Sequence, residues 1–288
     1  MKRRFYKMQA LGNDYIYFDC FDFCIDAPAA LAVRLSDRRK GIGGDGIILM
    51  QKSEIAHAKM RIFNADGSEA EMCGNGVRCA AKFLRDIKGV RDMPLKIETL
   101  AGVISLMPIL NEQGETISVC AEMGKPEFSA EKIPTLLPPD ERGEIVARPM
   151  RLCGINFKIT CVSYGNPHCV TFSKEAAERF GTLGAAIESA PYFPQRINAE
   201  FVRVNAINDL SVRVYERGSG ETFACGTGAC AAAAAAIKNG YAHKNEEIAV
   251  RMRGGDLSVK ITEEHTYLTG EATFVFVGEI DLWSSISR

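Results

Sequence analysis

The stretch Met60-Arg-Ile-Phe-Asn-Ala-Asp-Gly-Ser-Glu-Ala-Glu-Met-Cys-Gly-Asn-Gly-Val77 returns, without a gap, as Val212-Arg-Val-Tyr-Glu-Arg-Gly-Ser-Gly-Glu-Thr-Phe-Ala-Cys-Gly-Thr-Gly-Ala229. Laid together, Arg61 meets Arg213, Glu69 meets Glu221, Cys73 meets Cys225, Gly74 meets Gly226 and Gly76 meets Gly228, at an offset of 152. Earlier in each half, Gly12-Asn13-Asp14 matches Gly165-Asn166-Pro167 at an offset of 153. Chance supplies either short match alone. Two matches in one order, one residue apart in offset, indicate a duplicated domain. The length of 288 residues agrees, because roughly 150 residues per domain is usual.

Working outward, each half predicts the same outline. Tyr15–Phe18 and Val170–Phe172 read as strands rich in aromatic and β-branched residues. Arg61–Phe63 and Ser211–Tyr215 alternate polar and apolar side chains, as half-buried strands do. A Gly/Ser/acidic turn follows each, then the Cys-Gly-x-Gly step, then a helix. In the first half Val77, Ala80, Ala81, Leu84 and Ile87 fall at helical spacing; in the second, Ala229–Lys238 is almost all alanine. So little bulk predicts a helix buried deeply with other elements close around it. Gly89 and Gly240 suit the residue after a helix end. Asp26 as N-cap with Pro28 in the first turn predicts a third helix from Ala27 to about Arg38. Thr273–Val277 reads as a last strand. The polar, proline-bearing stretch Lys125–Pro139 is where the halves are expected to join.

Composition excludes several classes. Apolar residues are 47% and charged residues 25%, as in ordinary globular proteins. Thirty-five Lys and Arg against 36 Asp and Glu leave a formal charge of -1, which provides no footprint for nucleic acid. The longest small-and-apolar stretch, Ala224–Ile237, is interrupted by Gly226, Thr227 and Gly228 and is too short to span a bilayer. No apolar segment follows the basic residues of the opening MKRRFYKM, so a cytoplasmic location without membrane attachment is expected.

Ten cysteines remain to be explained. That density is below that of disulfide scaffolds, and no C-x-x-C pair marks a zinc site or a redox motif. Reduced thiols, most of them packing as small hydrophobes, are the expectation. Cys73 and Cys225 differ because each stands at a strand-to-helix turn. The free N–H groups and the dipole at a helix start favour negative charge there. They predict thiol pKa values lowered from about 8.5 toward roughly 3.5–7.5. The adjacent glycines let backbone approach a ligand, so the same turns suit a carboxylate. One such cysteine alone favours packing over catalysis. A symmetric pair alters the balance, because two-fold geometry would point both thiols into one cleft.

Two opposed thiols suit inversion of a carbon beside a carboxylate. A hydrogen leaves one face and another must return to the opposite face, so one thiolate and one thiol are the economical arrangement. Opposed helix starts would stabilise charge growing on the carboxylate, and excluding water would strengthen that field.

These residues bring the chain to a known family. The sequence resembles the diaminopimelate epimerases, which interconvert LL- and meso-diaminopimelate for lysine and peptidoglycan synthesis. The resemblance rests on Lys7-Met8-Gln9 through Gly12-Asn13-Asp14, Gly41-Ile-Gly-Gly-Asp45-Gly46 and Phe63-Asn64-Ala-Asp-Gly-Ser68. It continues through Met72-Cys73-Gly-Asn-Gly76, Gly165-Asn166-Pro-His168, Tyr215-Glu216-Arg217-Gly218 and Ala224-Cys225-Gly-Thr-Gly228. It implies Cys73 and Cys225 as the acid/base residues, with His168 pairing with one and Glu216 with the other. Asn13, Asn64, Asn166, Asn198, Glu216 and Arg217 would hold substrate, Arg217 and several asparagines at its distal amino-acid end. The backbones of Gly74–Asn75 and Gly226–Thr227 would hold the reacting carboxylate. Some members carry Gln where this chain has Gly46, so the side-chain contact made there is missing here; Ala10 stands where glycine is common and carries no functional weight.

The implied fold is α/β (α+β), with two pseudo-symmetric domains, each a curved mixed sheet around a central helix. A returning C-terminal strand would make the first domain 1–126 plus 272–288, carrying Cys73, and leave 127–271 for the second, carrying Cys225. No cofactor, no metal and a homodimer are implied. The nearest alternative is a cofactor-independent racemase for histidine or proline. Proline racemases tend to have His where this chain has Asn75, and Arg217 suits a longer substrate with a second charged end. A thiol-exchange protein and a two-lobed binding module are alternatives of other classes. Taken singly, His168 reads as a structural histidine, Glu216–Arg217 as a surface ion pair and Asn64 as a turn residue. Their place around the repeats is what raises them.

Overall fold

The computed structural model describes residues 2–282. Residue 1 and residues 283–288 of the expected first domain lie outside the described residues. The chain divides into two compact units, one running to Ala121 and resuming at Thr269, the other Glu122–Leu268.

The first unit contains β1 (Lys2–Ala10), β2 (Asn13–Asp19), α1 (Pro28–Ser36), β3 (Gly46–Gln51), β4 (Ala58–Asn64), β5 (Glu69–Ala70) and α2 (Gly74–Lys82). It continues with β6 (Leu95–Thr99), β7 (Gly102–Leu110) and β8 (Thr116–Glu122). The second unit contains β9 (Arg148–Leu152), β10 (Ile155–Ser163), β11 (Pro167–Thr171), α3 (Lys174–Glu178), α4 (Phe180–Glu188), β12 (Asn198–Ala206), β13 (Asp209–Glu216) and β14 (Gly220–Glu221). After these come α5 (Gly226–Lys238), β15 (Glu247–Met252) and β16 (Gly255–Ile261), and then β17 (Thr266–Glu271), within which the chain passes back to the first unit. The last strand, β18 (Thr273–Asp281), belongs to the first unit and pairs antiparallel with β1.

The duplication is visible in the pairing. β1–β2 is antiparallel, β2–β3 parallel, β3–β4 antiparallel and β4–β6 parallel. β10–β11, β11–β12, β12–β13 and β13–β15 follow the same sequence of senses. Register agrees as well: Tyr15 opposes Gly46 as His168 opposes Asn198, and Tyr17 opposes Ile48 as Val170 opposes Glu200. The repeated arginines and glutamates form the same ion pair in each unit, Arg61–Glu69 at 2.7 Å and Arg213–Glu221 at 3.0 Å.

Helix α5 packs on β10, β11, β12, β13, β15 and β16, so the sheet of the second unit curves around it. Ala229 and Ala231 through Ala236 are all buried, as the alanine run predicts. A methyl side chain lets strands close on every side, and close packing leaves no slack for a larger one. Ala232→Leu is expected to cost about 1–3 kcal/mol by overpacking. An unchanged urea midpoint in that variant would show a looser core than the burial indicates. Helix α2 is the counterpart, packed on β1, β2, β6 and β7.

Three boundaries differ from the sequence expectation. Helix α1 starts at Pro28 with Ala27 in the N-cap position and no side-chain cap, so Asp26 does not cap it, and the helix ends at Ser36. The helical pattern Val77–Ile87 divides into α2, already begun at Gly74, and a π-helical turn over Phe83–Ile87. Helix α5 begins at Gly226, before the alanine run.

Candidate active site

Cys73 and Cys225 occupy the same local position in the two units. Each is extended, caps the following helix, and accepts through Sγ from the backbone N–H three residues on: Gly76 at 3.3 Å and Gly228 at 3.4 Å. The cap explains the Cys-Gly-x-Gly spacing. The third residue after the cap carries an orphan donor, and the thiol takes the role that Ser or Asp oxygen ordinarily fills. Glycine keeps that residue clear of the side chains packed over it. A Cβ on Gly76 would lie 3.0 Å from Ile48 Cδ1, and one on Gly228 would lie 3.0 Å from Glu200 Oε1.

The surroundings of the two thiols differ. Around Cys73, Sγ donates to Asn13 Oδ1 at 3.3 Å, and Asn13 Nδ2 donates to Asp45 Oδ2 at 2.7 Å. Asp14 is held by Lys7 and Arg38, whose charges keep its carboxyl below the usual range despite the opposing effect of burial. Tyr15 neighbours this thiol, its phenol pushed up by burial and by the thiol's charge. Asn75 is buried and its Oδ1 accepts from Arg78 Nη2 at 2.7 Å, while Gly74 O accepts from Arg78 Nη1 at 3.2 Å. Asn64 donates to Ser68 Oγ at 3.0 Å and faces Gly46 across β3–β4. A Cβ on Gly46 would lie 2.2 Å from Phe63 O, so the backbone closes over the place a side chain would occupy.

Around Cys225, Thr227 Oγ1 lies 3.4 Å from Sγ and accepts from Asn166 Nδ2 at 3.2 Å. Asn166 Oδ1 lies 3.1 Å from His168 Nε2, and His168 Nδ1 lies 2.7 Å from Glu200 Oε1. His168 and Glu200 are both fully buried. Glu216 contributes its charge close to Cys225 and accepts from the Thr222 hydroxyl. Asn198 Nδ2 donates to Pro167 O at 3.0 Å, and its Oδ1 accepts from Arg217 N at 2.9 Å. Arg217 is exposed, with Nη1 donating to Gln195 O at 3.2 Å.

One expectation is overturned. The helix start was to lower the Cys225 pKa, but burial pushes this thiol well above its ordinary range, and the charges of Glu216 and Glu200 push the same way. The Thr227 hydroxyl and the Gly228 amide oppose them without prevailing. Desolvation penalises the thiolate more than a helix terminus rewards it. Of the ten cysteines, Cys20, Cys79, Cys161, Cys169, Cys225 and Cys230 are buried, in keeping with an expectation of packing for most of them, and Cys24 and Cys153 are exposed.

Within the first unit the structure thus brings together Cys73 and Asn13, with Asn64 beside Gly46. Within the second it links Cys225, Thr227, Asn166 and His168, with Asn198 bound to Arg217. The sequence reading missed Glu200, Asp45, Tyr15 and Arg78. The available signals were an acid between apolar Ala199 and Phe201 in a strand, and an arginine between buried Val77 and Cys79 in a helix. Among the described residues no three His, Cys, Asp or Glu side chains form a group able to hold a metal ion.

The diaminopimelate epimerase family model matches residues 5–129 and 160–275. Diaminopimelate epimerase of Acetivibrio thermocellus is 44% identical over 282 residues, covering 97% of this chain and 99% of the relative. The enzyme of Methanococcus maripaludis strain S2 is 43% identical over 282 residues, covering 97% of this chain and 100% of the relative. Solved structures with the same fold include a Bacillus anthracis phenazine biosynthesis protein of the PhzF family, with a TM-score of 0.72, 18% identity, and 98% of this chain and 99% of that chain covered. Another is a hydroxyproline epimerase of Agrobacterium vitis, with a TM-score of 0.67, 13% identity, and 97% of this chain and 92% of that chain covered. With two thirds or more of both chains aligned throughout, and more than two fifths of residues identical to the first two relatives, the chain belongs to the diaminopimelate epimerase family.

Proposed function

We propose that this protein is an isomerase that interconverts LL- and meso-diaminopimelate, using Cys73 and Cys225 as a two-base pair and no cofactor. The observation that carries the reading is the repeated thiol cap: one cysteine per unit, each at the start of a buried helix and each accepting from the amide three residues on. One sulfur takes the α-hydrogen as a proton and the other supplies a proton to the opposite face, so the carbon inverts and the pair exchanges roles. The electron pair left on carbon spreads into the carboxylate, where the first-turn N–H groups Gly74–Asn75 and Gly226–Thr227 stabilise it. His168 and Glu216 set the protonation around the thiols. Asn13, Asn64, Asn166, Asn198, Glu216 and Arg217 hold the substrate, Arg217 taking the distal carboxylate.

Incubation with LL-diaminopimelate in deuterium oxide, with reductant and no added cofactor, tests this. Deuterium should enter the α-position as the meso isomer forms. Turnover of histidine or proline with none of diaminopimelate would overturn the substrate, and binding without deuterium exchange would overturn the chemistry.

The same reading makes the protein a cytoplasmic enzyme of lysine and peptidoglycan precursor synthesis, where thiols stay reduced. Among the described residues no helix is long and apolar enough to cross a membrane. It also takes the protein as a homodimer. Val275, Phe276 and Val277 on β18 are exposed and would suit an isologous contact between copies. Sedimentation should give twice the chain mass, and a concentration-independent monomer would refute it.

A further inference from the structure

Resting on the epimerase reading, we propose that Glu200 is a positioning residue for Cys225: as a neutral carboxylic acid it holds His168 in its neutral Nε2–H form, which turns the Asn166 amide so that donors face Thr227 and the thiol. The hydrogen-bond donors fix the proton count. Asn166 Nδ2 donates to Thr227 Oγ1, so Asn166 Oδ1 is the atom facing His168 Nε2, and an amide oxygen only accepts. The imidazole proton therefore sits on Nε2. A second proton lies between His168 Nδ1 and Glu200 Oε1, 2.7 Å apart.

Its side is decided by the other carboxyl oxygen. Glu200 Oε2 is buried and has no hydrogen-bond partner among the described residues. With the proton on nitrogen, Oε2 would be a bare carboxylate oxygen stranded without a donor, which burial penalises severely. With the proton on Oε1, Oε2 is an uncharged carbonyl oxygen, much less costly to leave unpaired. The groups facing this carboxyl are His168 and Cys169 on β11, Glu216 on β13 and Cys225 at the start of α5. Burial raises the Glu200 pKa and Glu216 adds to the rise, while His168 and, more weakly, the residue's own backbone N–H oppose it.

The first unit shows what the pair accomplishes. In the repeated register Ile48 stands where Glu200 stands, and Tyr15 where His168 stands. No imidazole claims the Asn13 oxygen there, and that oxygen accepts from the Cys73 thiol directly. In the second unit His168 occupies the Asn166 oxygen, so the amide NH2 points to Thr227, whose hydroxyl touches Cys225. Thr227 Oγ1 accepts from Asn166 and keeps its own proton to donate to sulfur. That is the support a buried thiolate needs as it forms. The two halves of the active machinery are thus unequal by construction.

Three measurements test this, two of which need no turnover. In protein labelled with 15N-histidine, His168, assigned by its loss in His168→Asn, should give the neutral Nε2–H signature at pH 7. Glu200→Gln removes the ionisation without removing the contact. A buried acid with a raised pKa lowers stability at pH 7, where the unfolded carboxyl is fully ionised, and hardly at all at pH 4, where most unfolded chains also keep the proton. Glu200→Gln should therefore raise the thermal midpoint at pH 7 by about 2 °C or more and leave it nearly unchanged at pH 4. In kinetics, Glu200→Ala should lower kcat about 10- to 100-fold with KM within about 2-fold, and Glu200→Gln should recover most of that loss. An imidazolium signal for His168 at pH 7, a lowered midpoint for Glu200→Gln at pH 7, or a kcat for Glu200→Ala equal to wild type would each overturn the proposal. Should the wild-type protein fail to epimerise diaminopimelate, the functional reading falls, while resonance and stability still decide the protonation of Glu200.

Discussion

Replacing either Cys73 or Cys225 with alanine is expected to lower kcat for diaminopimelate epimerisation by about 10²- to 10⁴-fold, the range typical of losing a positioned acid or base. The pattern of residual exchange is more telling than the rate. On the proposed two-base mechanism, the thiol that remains would still serve its own side of the α-carbon and remove hydrogen from the epimer that presents it. It returns a hydrogen to the same side, so deuterium enters that epimer without inversion. The epimer that exchanges should be opposite in the two variants. Two groups acting as one unit are not additive, so the double variant should lose little more net epimerisation than either single one, while losing exchange altogether. Cys79→Ala and Cys230→Ala, buried at the helices rather than capping them, should lose stability and keep the exchange pattern. Exchange of the same epimer in both active-site variants would end the two-base reading.

How far the chain could be read in advance depended on the range of the forces involved. The cap is local: a thiol three residues before an orphan amide, with glycine spacing, is complete within Cys73–Gly76 and again within Cys225–Gly228. The alanine helix is nearly as local, since only an element surrounded on all sides does without bulk. The repeat exposed the topology, because strands at equal offsets pair in equal senses.

Glu200 was hidden for the opposite reason. An acid in a strand ordinarily faces water, and the imidazole that accepts it into the interior stands 32 residues away on a parallel neighbour. The direction of the Asn166 amide was hidden with it. Asp26 looked like a cap because its residue type suits one, but Pro28 starts the helix with Ala27 in the cap position. The Cys225 pKa failed in the most instructive way. The helix start was legible, whereas the desolvation that outweighs it is a property of the folded unit.

That same desolvation predicts an alkaline stability limit. Burial raises the thiols of Cys20 and Cys79 to about 12, and Cys225 well above its ordinary range. In Cys169 the adjacent Cys161 and burial together do the same. Each folded thiol keeps its proton where the unfolded one loses it, so the unfolded state binds fewer protons above about pH 9. The stabilising contribution is complete below the unfolded pKa and is lost as pH rises toward the folded values. Each thiol contributes a slope of up to about 1.4 kcal/mol per pH unit, and four together up to about 5.5 kcal/mol per unit. A single unit above pH 10 therefore consumes an amount comparable to the lower end of the roughly 5–15 kcal/mol that keeps domains folded. Urea midpoints under reductant should be level up to about pH 7.5, decline through pH 8.5 and fall steeply by pH 10.5. Cys20→Ala combined with Cys79→Ala should start from a lower plateau and show about half the slope. A level midpoint through pH 10.5 would mean that these thiols ionise as readily in the folded protein as in the unfolded chain.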